Sequence, residues 1–190
     1  RVMAKVGRYC AERKKPLIME DLDTTLAKHG MKYGCKKKNR HASLFAYRKM
    51  TSCLENQAYK QSFGIYKMNP AYTSQMGKFL YLRPFGLSIH EAASYTIGLK
   101  GMGIREKLLP DERLLVLLPE KTKEKLKNGT DIVSIIPAWK QLTKAFRGVS
   151  PHSFYRELPY EVLEERKKGT LKSIASEMKK WTQNNRYEYA

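Results

Sequence analysis

The sequence predicts an α/β layer fold with a mixed or partly parallel sheet. Short apolar runs at Leu17–Met19 and Ile65–Met68 read as strands, and apolar stripes at helical spacing alternate with them. Of the 190 residues 42% are hydrophobic, enough to bury a core in one domain of ordinary size and to exclude a disordered basic tail.

In chain order, Val2–Arg13 places Val2, Val6, Tyr9 and Cys10 at helical spacing, and the charged run Glu12–Lys15 before Pro16 ends that helix. Leu17–Ile18–Met19 follows as a buried strand that delivers Glu20, Asp21 and Asp23 at its C-terminal end. Lys28 to Arg40 holds six Lys or Arg and no acid, so it is expected as a solvated loop. Across Asn39–Gln61 the residues Leu44, Tyr47, Thr51, Leu54 and Ala58 form the stripe of an amphipathic helix, which Gly64 can terminate. Ile65–Met68 before Asn69–Pro70 is the second strand, closed by a proline turn. Ser88 through Leu99 combines a serine N-cap, Glu91 three residues on, and small residues Ala92, Ala93, Thr96 and Gly98 on one face, which predicts a closely packed helix.

Beyond Pro110 the apolar blocks shorten and are cut by Pro119, Pro137, Pro151 and Pro159, with a late stripe at Leu171, Ile174, Met178 and Trp181. Two parts are therefore expected: residues 1–110, and a basic, mainly helical extension over 111–190. No internal repeat is visible, and Thr182–Ala190 is polar enough to fray.

Charge narrows the function. With 37 Lys and Arg against 18 Asp and Glu the net charge is +19, which points to a polyanionic partner. The front third is the most basic, since Arg1–Lys60 carries 15 basic and 5 acidic residues. The longest apolar run, Leu114–Pro119, falls far short of the ~18 residues of a membrane span, so no membrane partner is expected. Three cysteines, Cys10, Cys35 and Cys53, form no C-x-x-C pair, which disfavours a disulfide scaffold and a four-cysteine zinc site and suits a reducing, cytoplasmic setting. Because the first residue is Arg1, the chain is read as the C-terminal part of a longer protein.

The sharpest chemical feature is Glu20-Asp-Leu-Asp23 at a strand end. Divalent-metal nucleases hold carboxylates on rigid elements, because paired cations about 3.5–4 Å apart must grip both the attacking and the leaving oxygen. The same acids equally suit a turn cap or a balance for nearby lysines.

Four motifs in order then carry a resemblance. Lys15-Pro-Leu-Ile-Met-Glu-Asp-Leu-Asp23 comes first, followed by Asn39-Arg40 with Phe45-Ala-Tyr47. Met68-Asn-Pro-Ala-Tyr-Thr-Ser74 is next, and Gly86-Leu-Ser-Ile-His-Glu-Ala-Ala93 with Ile97-Gly98 and Gly101-Met-Gly103 is last. Over roughly Arg1 to Pro110 the chain resembles the C-terminal nuclease part of the OrfB/TnpB family, the insertion-sequence "transposases" related to type V CRISPR effectors. The resemblance implies an RNase H-like (RuvC) domain, incomplete at its N-terminal side. Its partners would be DNA and a guide RNA, its cofactor magnesium or manganese, and its setting the prokaryotic nucleoid. Glu20 stands where the family has its second catalytic acid, and the first has no counterpart here. Family members carry a four-cysteine zinc knuckle after Tyr-Thr-Ser, whereas Gln75–Phe85 holds no cysteine, so no zinc is expected. Where the family has its third acid stand Ser88, Ile89, His90 and Glu91. His90 could ligate metal through a ring nitrogen or simply hydrogen-bond near a helix start, and Glu91 equally suits a capping box with Ser88.

For binding, Lys36, Lys37, Lys38 and Arg40 could neutralise phosphates, with a solvated charged loop as the other reading. Lys78, Tyr81, Arg83 and Phe85 interleave charge with rings, which suits stacking of unpaired bases, although core packing explains Tyr81 and Phe85 as well. Gly98, Gly101 and Gly103 follow their helix and so read as a C-cap instead of a phosphate loop. Two functions are expected from these residues: part of a transposon-encoded, RNA-guided, metal-dependent DNA endonuclease, or a nuclease-dead descendant that acts as a guided DNA-binding blocker.

Overall fold

The computed structural model describes residues 2–21, 47–151 and 153–184, in two compact units that divide after Pro70. The described part is mostly helical with a two-stranded parallel sheet, a mixed α/β arrangement. None of its helices is long and apolar enough to cross a membrane.

In the first unit, α1 (Val2–Glu12) precedes β1 (Leu17–Glu20), and α2 (Tyr47–Gln61) precedes β2 (Ile65–Met68). The strands are parallel, with Leu17 opposite Ile65 and Glu20 opposite Met68. A parallel pair needs a long connection, and residues 21–64 separate the two strands along the chain. The α1 and α2 helices pack where Gly7 lies against Gln57, close enough that a β-carbon at Gly7 would sit 3.0 Å from Gln57 Cβ. Of the expected stripe, Leu54 is buried and Thr51 and Ala58 are half-buried; Leu44 lies outside the described residues. Arg13 lies over the Tyr9 ring at 3.8 Å, and Cys10 is buried while Cys53 is exposed.

The second unit begins with α3 (Thr73–Gly77), which runs into a π-helical turn at Lys78–Leu82. Within Thr73–Leu82 the residues Thr73, Met76, Gly77, Lys78, Phe79, Tyr81 and Leu82 are all buried, so this segment is surrounded on most sides. Next comes α4 (Ile89–Gly101), and a short 3-10 turn at Glu106–Leu108 follows it. Then come α5 (Glu112–Leu115), α6 (Glu120–Asn128), α7 (Ile136–Ala145), α8 (Tyr160–Lys168) and α9 (Ile174–Asn184). Both ends of α4 are closed as its sequence predicts. Ser88 Oγ accepts from Glu91 N–H at 3.3 Å while Glu91 Oε2 accepts from Ser88 N–H at 2.8 Å. At the other end Gly103 adopts φ +70°, and the N–H groups of Ile104 and Gly103 donate to the carbonyls of Leu99 and Lys100 at 3.0 and 3.1 Å. That is a Schellman termination at Gly103, as a C-cap was expected there, whereas Gly98 and Gly101 lie within α4 instead of after it.

One hydrophobic core runs from Met76 and Phe79 through Leu108, Leu114 and Trp139 to Leu163 and Met178. Phe79 is its aromatic hub, with ring centroids 4.8 Å from Phe146, 5.4 Å from Tyr155 and 6.1 Å from Trp139. Residues 71–110 therefore share a core with 111–184, and the chain divides at 70, not at the expected 110. The physical reason is that α3 and the π-helical turn bury nearly every side chain against later helices. Asp111 ties the far part together: Oδ1 caps α5 at Leu114 N–H, 3.1 Å away, and Oδ2 accepts from the Tyr155 hydroxyl and from Arg156 at 2.7 and 3.0 Å. An RNase H-like sheet, expected from the resemblance, is a finer statement than the two strands support.

Tyr81 gives the second unit a pH response. Its buried hydroxyl donates to the Lys107 carbonyl, and burial, with a smaller contribution from the nearby Tyr95 phenol, pushes its pKa up to about 12. In the unfolded chain the phenol ionises near 10, so between pH 10 and 12 the unfolded state has lost a proton that the folded state keeps. Stability from this group is complete below pH 10 and falls as pH rises towards 12. Urea titrations at several pH values are expected to show a shallower alkaline loss in Tyr81→Phe than in wild type; identical slopes would refute the assignment.

Candidate nucleic-acid interface and carboxylate site

Glu20 is the last residue of β1, half-buried, and Asp21 follows it, exposed, with its N–H donating to the Met68 carbonyl at 2.8 Å. Asp23 lies outside the described residues. His90 is exposed in the first turn of α4, in the second unit, whereas Glu20 belongs to the first. Glu91 is fully engaged as the capping-box residue, and the hydrogen bonds from Ser88, backbone first, hold its carboxyl below the usual range.

Magnesium or manganese, as the resemblance implies, needs several hard ligands together. Among the described residues no group of three or more His, Cys, Asp or Glu side chains could hold a metal ion. The described donors thus do not fit a complete divalent-metal site.

The cations separate by environment. Lys36, Lys37, Lys38 and Arg40 lie outside the described residues. Lys78 is only 8% exposed, and its ammonium donates to the Val149 carbonyl at 2.9 Å, while burial pulls its pKa down. It is a structural lysine and is not displayed for phosphates, which corrects the expectation. Tyr81 is likewise buried and cannot offer a free ring face; Phe85 stacks on it at 5.8 Å, with ring planes 19° apart. Arg83 is exposed but ion-paired with Glu157 and set over Phe154 at 5.4 Å. Beside Tyr81, two rings do face solvent: Phe85, 63% exposed, and Tyr95, 41% exposed, with centroids 6.3 Å apart. Tyr95 was not singled out by the sequence, since only the packing of α4 against the π-helical turn sets it beside Tyr81, 4.8 Å away.

Another group was also missed. Lys144 in the last turn of α7 and Arg166 and Lys167 in the last turn of α8 converge on one cleft. Nothing in their local sequence separates them from ordinary cations at helix C-termini.

No family model, no curated protein and no solved structure matches this chain. Fold and charge define a strongly basic, mainly helical α/β protein.

Proposed function

We propose that the chain binds nucleic acid, as part of a RuvC-like, RNA-guided system of the insertion-sequence type. The observation that carries this reading is the excess of 37 basic over 18 acidic residues in a chain that nevertheless has an ordered hydrophobic core. Unlike a charge run in a disordered tail, such an excess on a folded scaffold attracts a polyanion to a defined surface. A second reading, that the protein also cleaves DNA, is favoured by Glu20 at the C-terminal end of a parallel strand, a rigid place from which to present a carboxylate.

Both readings are tested in one experiment. The protein, co-purified with its RNA, is offered supercoiled and single-stranded DNA in magnesium, in manganese and in chelator. Binding should weaken steeply with salt, by roughly a thousandfold or more between 50 and 200 mM if six or more phosphates are contacted. Salt-insensitive binding, or none, overturns the nucleic-acid reading. Cleavage that stops with chelator and falls by at least about a hundredfold in Glu20→Ala supports the endonuclease; cleavage that persists in that variant removes Glu20 from the chemistry. Salt-sensitive binding without cleavage leaves the guided blocker.

A further inference from the structure

The cleft where α7 and α8 end has a volume of about 450 Å³, within the usual size range of small-ligand sites. Its walls are of two kinds. Leu117, Pro119 and Ala145 form an apolar side, and Lys144, Arg166 and Lys167 form a cationic one. Gln141 also lines it, with its amide donating to Thr122 Oγ1 at 3.0 Å.

The charges there are incompletely balanced. The Lys144 ammonium has neither a hydrogen bond nor an ion pair among the described residues, and the side chain is exposed. Arg166 spends one nitrogen on the Leu171 carbonyl at 3.2 Å, while its Nε is buried with no hydrogen-bond partner. A buried donor left unmade is costly, so the protein itself satisfies this guanidinium only in part. Lys167 lies 3.9 Å from Glu120, but that carboxylate is already held more closely by Lys123 at 2.8 Å. The carbonyl ends of α7 and α8 contribute about half a negative charge each. Against three cations, one shared carboxylate and two such helix ends leave a positive surplus. Helix-end compensation therefore accounts for part of the cluster, and the unpaired donors for the rest.

We propose that this cleft binds a phosphate ester, with the phosphate among Lys144, Arg166 and Lys167 and the attached sugar and base against Leu117, Pro119 and Ala145. A guanidinium fork beside two ammonium groups suits a phosphate's several acceptor oxygens, and the apolar wall suits an organic body attached to it. The bearer is a single nucleic-acid strand crossing the cleft, and that choice rests on the nucleic-acid reading above. A free nucleotide shares the same chemistry, so the test separates the two.

The full protein is titrated with a fluorescein-labelled 12-nucleotide single-stranded DNA by anisotropy, and with adenosine monophosphate by calorimetry. The double variant Lys144→Gln with Arg166→Gln should bind the oligonucleotide about tenfold or more weakly at 100 mM salt, with the salt slope smaller by about 1.4, or about 0.7 per cation. Lys144→Gln alone, at an exposed position that leaves the core untouched, should show about half that change in slope. Lys121→Gln removes the same charge from an exposed place outside the cleft and serves as the control. Loss of oligonucleotide binding beyond that control supports the strand. Loss of adenosine monophosphate binding, in a protein that never binds the oligonucleotide, keeps the cleft and overturns the nucleic-acid reading. A double variant that matches Lys121→Gln with both probes overturns the cleft, while tight binding of the oligonucleotide in every variant leaves the broader reading standing.

Discussion

Trp139→Ala is expected to destabilise the second unit by about 3–5 kcal/mol and to lower its melting temperature by roughly 10–20 °C. Trp139 has no solvent exposure and stacks on Phe79 at 6.1 Å in the middle of the core. Alanine would leave a cavity bounded by side chains that also hold Phe146 and Tyr155 against Phe79, so the hub cannot collapse around one missing ring. A second loss adds to the first, because the indole N–H donates to the Leu108 carbonyl at 2.9 Å inside the core. Trp139→Phe separates the two: it keeps most of the ring, loses the donor, and should cost only about 1–3 kcal/mol. Urea unfolding followed by far-ultraviolet circular dichroism measures both. Midpoints for Trp139→Ala close to wild type would mean that the hub is not where this unit's stability lies.

Gly77→Ala is expected to destabilise the same unit by about 1–3 kcal/mol, although alanine is the better helix former by about 1 kcal/mol. Gly77 has an ordinary helical φ of −57°, so conformational freedom is not the reason for glycine there. Its place in the packing is. A β-carbon would stand 2.6 Å from the carbonyl carbon of Ala92, 2.7 Å from its oxygen and 2.9 Å from Ala93 N, and those backbone atoms of α4 cannot swing aside as a flexible side chain could. The two helices would have to separate, with Met76 and Ala92, both fully buried, losing their contacts. Gly98→Ala is the matched control in the same helix pair: nothing lies within 4 Å of its β-carbon position, and the substitution should stabilise by about 0.5–1 kcal/mol. Shifts of the same sign in both variants would refute the close-approach argument.

Elements whose information is local were legible in the sequence. The α1 helix and both strands lie where short-range spacing and Pro16, Gly64 and Pro70 put them, and the Ser88–Glu91 box and the Gly103 termination bound α4 as predicted. The late stripe found α9 for the same reason, although its beginning at Leu171 falls before the helix, which starts at Ile174. Caps, turns and amphipathic stripes depend on neighbours within four or so residues, so they are written where they act.

What failed to show was every property set by distant residues. Lys78 and Tyr81 look like an interleaved binding surface until the π-helical turn folds them inward, where Val149 and Lys107, 71 and 26 residues away, accept their hydrogen bonds. The division at Pro70 was hidden because Pro110 is the stronger local punctuation, whereas the actual boundary follows from which side chains share a core. Lys144, Arg166 and Lys167 were unremarked for the same reason, being brought together only by the packing of two helix ends. The positive charge, the helical and strand segments and their caps could be read from the chain, because composition and short-range geometry are local quantities. Tertiary structure alone decided which cations are exposed and which rings are free, because burial and proximity are properties of pairs far apart along the chain.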